Sequence, residues 1–182
     1  GKKIITTNPD TSQPCPDDKV NRLFKADRPN KLWVSDFTYV PTWSGTAYVA
    51  FVIDVFARRI IGWRVSTSMT TKFVLDALDQ AIWQRKTPDN KSLVHHSDRG
   101  SQYAAEAYRS ALSRSGITPS MSRKGDCWDN APMESFFHTL KTERVHHRVY
   151  ATRDQARRNL FGYIEGFYNP RRLHSALGYI SP

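Results

Sequence analysis

The segment TAYVAFVIDV (46–55) is apolar at nearly every position, so both of its faces must be buried. A strand of that kind belongs inside a sheet with a layer packed on each side. Its surroundings fit. LWVSDFTYV (32–40) reads as the strand before it, TWSG (42–45) as the hairpin turn between them, and RRIIGWRVS (58–66) as a third strand. Three successive antiparallel strands result.

Helical spacing then takes over. Val74, Ala77, Leu78, Ala81 and Ile82 fall at i, i+3, i+4, i+7 and i+8, with Thr70 or Thr71 as N-cap. SLVHHS (92–97) is a short strand. A second helix sets Ala104, Ala107, Tyr108, Ala111 and Leu112 on one face and ends at Gly116, and GITPS (116–120) follows as a last short strand. SRKGDCWDNAP (122–132) is loop-like, with Asn130 or Asp129 capping a third helix and Pro132 in its first turn. A final helix starts at Thr152 with Gln155 in capping-box position, buries Ala156, Leu160, Tyr163, Ile164 and Phe167, and stops at Asn169-Pro170. The order βββαβαβα predicts an α/β fold, a mixed five-stranded sheet flanked by helices with a C-terminal helical extension. That order is the one of the ribonuclease-H-like fold. Residues 1–30, with four Pro and no sustained periodicity, read as an N-terminal arm or linker. Residues 31–150 form the core, and 151–182 a C-terminal helix and basic tail packed on it.

At 182 residues the chain suits one well-packed domain. No apolar run reaches the ~18–20 residues of a membrane span, and the first residues lack the apolar stretch of a signal peptide. Cys15 and Cys127 make neither a disulfide framework nor a cysteine zinc site, so a cytoplasmic, nucleoid-associated protein is expected. The charge says more. Lys and Arg outnumber Asp and Glu by 27 to 17, a net +10, which favours a polyanionic partner. From Lys141 onward there are eight Lys/Arg against three acids, so half of the excess lies in the last quarter.

Metal-assisted phosphoryl transfer needs hard oxygen ligands converging from separate elements. Asp36 lies within the first strand, Asp98 directly after the fourth, and Glu134 in the first turn of the third helix. These can meet if the first and fourth strands are neighbours. The Glu134 helix buries Met133, Phe136, Phe137 and Leu140, while Glu134, His138 and Lys141 share a polar face. That face suits metal and DNA; it equally suits plain solvation.

The strings LWVSDFTYV, VIDVFARRIIGW, VHHSDRGSQYA, SRKGDCWDNAPMESFFHTLKTE and FYNPRRLHSALGYISP resemble the integrase core of insertion-sequence family 3 transposases, in order from Lys31 to Pro182. The 35 residues between Asp98 and Glu134 match the spacing of that family's DDE triad. The resemblance implies that Asp36, Asp98 and Glu134 are the catalytic, metal-holding acids, and that two Mg2+, with Mn2+ able to substitute, are the cofactors. It implies DNA as partner, at mobile-element ends and at the target, with Lys141 touching the DNA end. It further implies water attack at the element end, strand transfer by the freed 3′-hydroxyl, and a circular DNA intermediate. His138, Arg99, Arg123, Lys124, Arg171 and Arg172 are further DNA-contact candidates.

Competing readings stand beside these. Asp54 rivals Asp36 but reads as a turn cap, and Asp126 and Asp129 read as shaping the loop. His95, His96 and Cys127 match no zinc spacing. Arg99-Gly100-Ser101-Gln102 is a phosphate cradle or a plain turn. The tail tracks a DNA backbone and folds onto the core through Leu173, Leu177 and Tyr179. A nuclease without strand transfer and a catalytically idle DNA-binding remnant are the rival functions. A homo-oligomer is expected in the active complex, with an upstream helix-turn-helix region or fusion partner choosing the DNA end.

Overall fold

The computed structural model describes residues 15–86, 92–123 and 130–182. Strands β1 (Leu32–Val40), β2 (Ala47–Asp54) and β3 (Arg59–Ser66) form the expected antiparallel meander. Helix α1 (Thr71–Gln84) then crosses over, and β4 (Val94–Ser97) and β5 (Thr118–Met121) join in parallel on the other side. The sheet order is β3-β2-β1-β4-β5. β2 is buried at almost every position, as its two-sided apolar sequence requires.

Two cores result, one on each face. Trp33, Phe37, Ala50 and Val52 pack against Phe73, Val74, Ala77 and Leu78 of α1 and against Tyr108, Ala111 and Leu112 of α3 (Glu106–Arg114). Val34, Val49, Phe51 and Ile53 pack against Met133, Phe136 and Leu140 of α4 (Ala131–Glu143) and against Ala156 and Leu160 of α5 (Arg153–Tyr163). Ile61 forms a bulge between Ile60 and Gly62 in the register with β2. Beside it α1 approaches so closely that a Cβ on Gly62 would lie 2.1 Å from the Ala77 carbonyl oxygen.

Several local expectations need correction. The second predicted helix is two, α2 (Ser101–Ala104) and α3, because Ala105 is extended (φ −57°, ψ 141°). The break rotates the following turn, and Ala107 is exposed. α3 does end at Gly116, whose φ is +68°. There the Ile117 and Gly116 N–H groups donate to Leu112 and Ser113 carbonyls, a Schellman closure. Thr70 and Asn130 occupy N-cap positions, yet neither side chain caps. Thr152 does cap α5, accepting from the Gln155 N–H at 3.1 Å, while Gln155 accepts from the Ala151 N–H at 2.7 Å.

The last helix does not stop at Asn169. It widens into a π segment (Ile164–Tyr168) and ends in a short turn, α6 (Asn169–Arg171). The Arg172 N–H reaches back to the Phe167 carbonyl at 2.8 Å. The wider turn shifts the buried stripe by a residue, so Tyr168 is buried and Phe167 is 44% exposed. Nor do Leu173 and Tyr179 fold onto the core, being 61% and 71% exposed. Asn169 anchors the tail instead: its amide accepts from the Ile60 N–H at 3.0 Å and donates to the Ile60 carbonyl at 2.9 Å. No helix among the described residues is long and apolar enough to cross a membrane.

Candidate active site

β1 runs parallel to β4 with Leu32 opposite Val94, Trp33 opposite His95 and Val34 opposite His96. Carried on, the same register brings Asp36 level with Asp98, the first residue beyond β4. By alternation Asp36 shares the face of Val34 and Val40, the face that α4 covers. Glu134 projects from the first turn of α4 and is exposed. Asn130, buried just before that helix, donates from its amide to the Ser35 carbonyl at 3.3 Å. The start of the Glu134 helix is thereby tied to the strand that bears Asp36.

The other two acids act on Asp36. Burial raises the Asp36 carboxyl well above its ordinary range, and the charges of Asp98 and, more weakly, Glu134 raise it further. The Phe37 N–H, donating to Asp36 Oδ1 at 2.8 Å, offsets part of this. Asp98 is fixed by its own turn: its Oδ1 accepts from the Gly100 N–H at 2.9 Å, and a Cβ on Gly100 would sit at that same distance from it. Among the described residues no three His, Cys, Asp or Glu side chains close into a ready metal cage. The acids are close enough to feel each other's charge and offer only carboxylate oxygen. Such a set suits a hard divalent cation, whose charge would relieve their repulsion.

Tyr103 is a member of this site with no role in the sequence reading. It is buried, its hydroxyl has no hydrogen-bond partner among the described residues, and its ring lies against Phe37 and Tyr108. Burial raises its phenol pKa well above the usual range, and Asp36, Tyr108 and Asp98 add to that. The signal available was its position in VHHSDRGSQYA, a turn beyond Asp98.

Other candidates are placed as follows. Asp54 lies at the far end of β2, opposite Trp33, with its side chain fully buried. It accepts from the Phe56 and Asn30 N–H groups at 3.1 and 3.0 Å and faces Arg85 at 3.7 Å, which makes it a turn cap away from the acids. His95 hydrogen-bonds Ser35 and Tyr108 at 2.7 and 2.8 Å, and burial pushes its pKa down to about 3. His96 meets Ser120 at 2.9 Å, with Asp18 of the N-terminal segment 3.9 Å away. Both histidines hold strands together.

His138 is exposed, and the Lys141 ammonium lies 5.1 Å from the Tyr39 ring centre, on the strand of Asp36. Arg99 donates to the Ser122 carbonyl at 2.7 Å, and α2 beyond it is a single turn. Arg123 is exposed, whereas Lys124, Asp126, Cys127 and Asp129 lie outside the described residues. Arg171 is exposed. Arg172 is bound within the chain, its guanidinium meeting both Glu143 oxygens at 2.5–3.0 Å.

A mixed sheet of this order, with carboxylates gathered where its first and fourth strands run side by side, defines the ribonuclease-H-like class. Residues 26–127 and 115–182 each match the integrase core domain, and the chain belongs to that family. It is 46% identical over its whole length to the transposase for insertion sequence element IS629 of Shigella sonnei, and spans 60% of that protein. Over 90% of its length it is 47% identical to the transposase for insertion sequence element IS904 of Lactococcus lactis, spanning 64% of it. The resemblance to insertion-sequence transposases therefore holds, while the chain spans under two thirds of these curated relatives. The magnesium-bound, trimeric form of the HTLV-2 integrase catalytic core domain shares the fold at a TM-score of 0.61 and 15% identity, over 85% of this chain and 95% of that one.

Proposed function

We propose that this chain is the catalytic core of a DNA transposase, cleaving mobile-element ends and joining them to a second phosphodiester. What supports the reading is that Asp98 and Glu134 both lie near enough to Asp36 for their charges to raise its carboxyl pKa. These three residues would hold two divalent cations, Mg2+ or Mn2+. Bound there, the cations would supply Lewis-acid polarisation of the phosphodiester and charge neutralisation at the attacking and leaving oxygens.

The chain's own residues supply position. The β1–β4 register, extended two residues past Val34 and His96, would set Asp36 level with Asp98, and the Asn130 amide ties the start of α4 to β1. Catalysis of this kind is positioning and electrostatics, with no covalent protein–DNA intermediate. His138 and Lys141 continue the Glu134 face and would guide the DNA end; Arg99, Arg123, Lys124 and Arg171 would steady its backbone. Arg172, committed to Glu143, would shape the tail and leave contact to its neighbours. Residues 31–150 would carry the chemistry, with 151–182 packed on them. The active complex would be a homo-oligomer, and an upstream helix-turn-helix region or fusion partner would select the end sequence.

The test is a strand-transfer assay with labelled element ends and Mg2+ or Mn2+. The reading expects both end cleavage and joined products. Cleavage without joining, under conditions that allow assembly, would instead make the chain a ribonuclease-H-like nuclease.

A further inference from the structure

Behind α4, on the side away from Glu134, lies a cleft of about 380 Å³. Its apolar wall comes from Ile53, Val55, Phe136, Tyr168 and Leu173, and Tyr179 stands at its edge. Among its described lining residues Arg58, Arg172 and His174 are basic and none is acidic.

His174 is only 9% exposed, held by an antiparallel bridge to Ile180 and an edge-on contact with Tyr168. Its Nδ1 lies 3.3 Å from an Arg172 guanidinium nitrogen. Arginine only donates, so Nδ1 accepts. Burial, with the Arg172 and Arg58 charges, pushes the imidazole pKa down to about 4, so at neutral pH its single proton sits on Nε2. That Nε2–H is buried and has no acceptor among the described residues. Such a donor is costly to leave unmatched.

Arg58 lines the same cleft from the β2–β3 turn, half-buried. It makes no ion pair with a described carboxylate, and its backbone is held at φ +55°. The acid on this side, Glu143, is already taken by Arg172 and by the Tyr163 hydroxyl at 2.7 Å. With Arg172 neutralised by Glu143 and His174 uncharged, the cleft holds, among the described residues, one unmatched positive charge and one unmatched N–H.

We propose that this cleft binds a backbone phosphodiester of DNA, with Arg58 and His174 Nε2–H donating to its oxygens and the sugar lying on the apolar wall. A phosphodiester carries a single negative charge, which Arg58 balances; inorganic phosphate carries more. Ser135 and Thr139 line the cleft from α4, the helix whose first turn presents Glu134. The assignment rests on the DNA-acting reading above and moves the tail's contact from Arg172 to Arg58 and His174.

The experiment uses the full chain and a fluorescent duplex, with affinity followed against salt. Each phosphate contact contributes about 0.9 to the slope of log K against log salt. Arg58→Asn keeps a residue that tolerates positive φ and should flatten that slope by about one contact. Arg114→Asn removes the same charge from the end of α3, on the opposite face of the sheet, and should change it much less. In nitrogen NMR of the imidazoles, the His174 Nε2–H should shift on adding duplex and not on adding inorganic phosphate. Equal slopes for the two variants, or the same His174 response to inorganic phosphate, overturn the site. Absence of duplex binding by the unaltered chain would instead overturn the DNA-acting reading itself.

Discussion

A carboxyl that burial and two neighbouring acids push towards its protonated form titrates with a defined sign. Asp36 binds its proton more tightly in the folded chain than in the unfolded one. Its contribution to stability is therefore fully present below the ordinary aspartate value of 3.8 and is lost as pH rises through the raised folded value. Without metal, Asp36→Asn should raise Tm at pH 7 by about 2–4 °C, the shift that ~1 kcal/mol produces in a chain this long. Mg2+ should raise the Tm of the unaltered chain and have little effect on the variant. A lower metal-free Tm for Asp36→Asn would contradict the repulsion argument. Asp98→Asn is expected to reduce cleavage and joining to background while duplex affinity stays close to wild type. Retained cleavage with lost binding would remove Asp98 from the ligand set.

At the scale of elements, the strands and α1 were legible because their burial is periodic and local. Val74, Ala77, Leu78 and Ala81 are buried as their spacing demands. What escaped was set by partners distant in sequence. The π segment that exchanges Phe167 for Tyr168 follows from docking the tail on β3 through Asn169, 109 residues from Ile60. The break at Ala105 carries no Gly or Pro to announce it, and Arg172 meets Glu143 across 29 residues of chain. The site shows the same division. The Asp98–Glu134 spacing could be read directly, whereas the β1–β4 adjacency that brings in Asp36 had to come from the fold type that the element order suggests. Asn169→Ala offers a measure of the distant ties. It strands the Ile60 N–H and carbonyl together, so denaturant unfolding should show a loss of about 2–4 kcal/mol. A change below ~0.5 kcal/mol would mean that the tail is not held there.

For the molecule as a whole, the second core does not close without the C-terminal elements. Ala156, Leu160, Tyr163, Ile164 and Tyr168 all pack into it. A chain ending at Tyr150 should lose near-ultraviolet circular dichroism and expose apolar surface to dye, with strand-transfer activity lost as a consequence. A monodisperse, cooperatively melting truncation would instead show 151–182 to be detachable. The borders of the sheet have a different consequence. Along β3 the Asn169 amide occupies Ile60, and the Gln80 side chain takes the Trp63 N–H at 2.9 Å. Along β5, Pro119 has no N–H to offer. Neither margin offers an unbroken run of backbone groups to another copy, so the homo-oligomer proposed for the active complex would form through helices and loops, leaving each five-stranded unit closed to polymerisation.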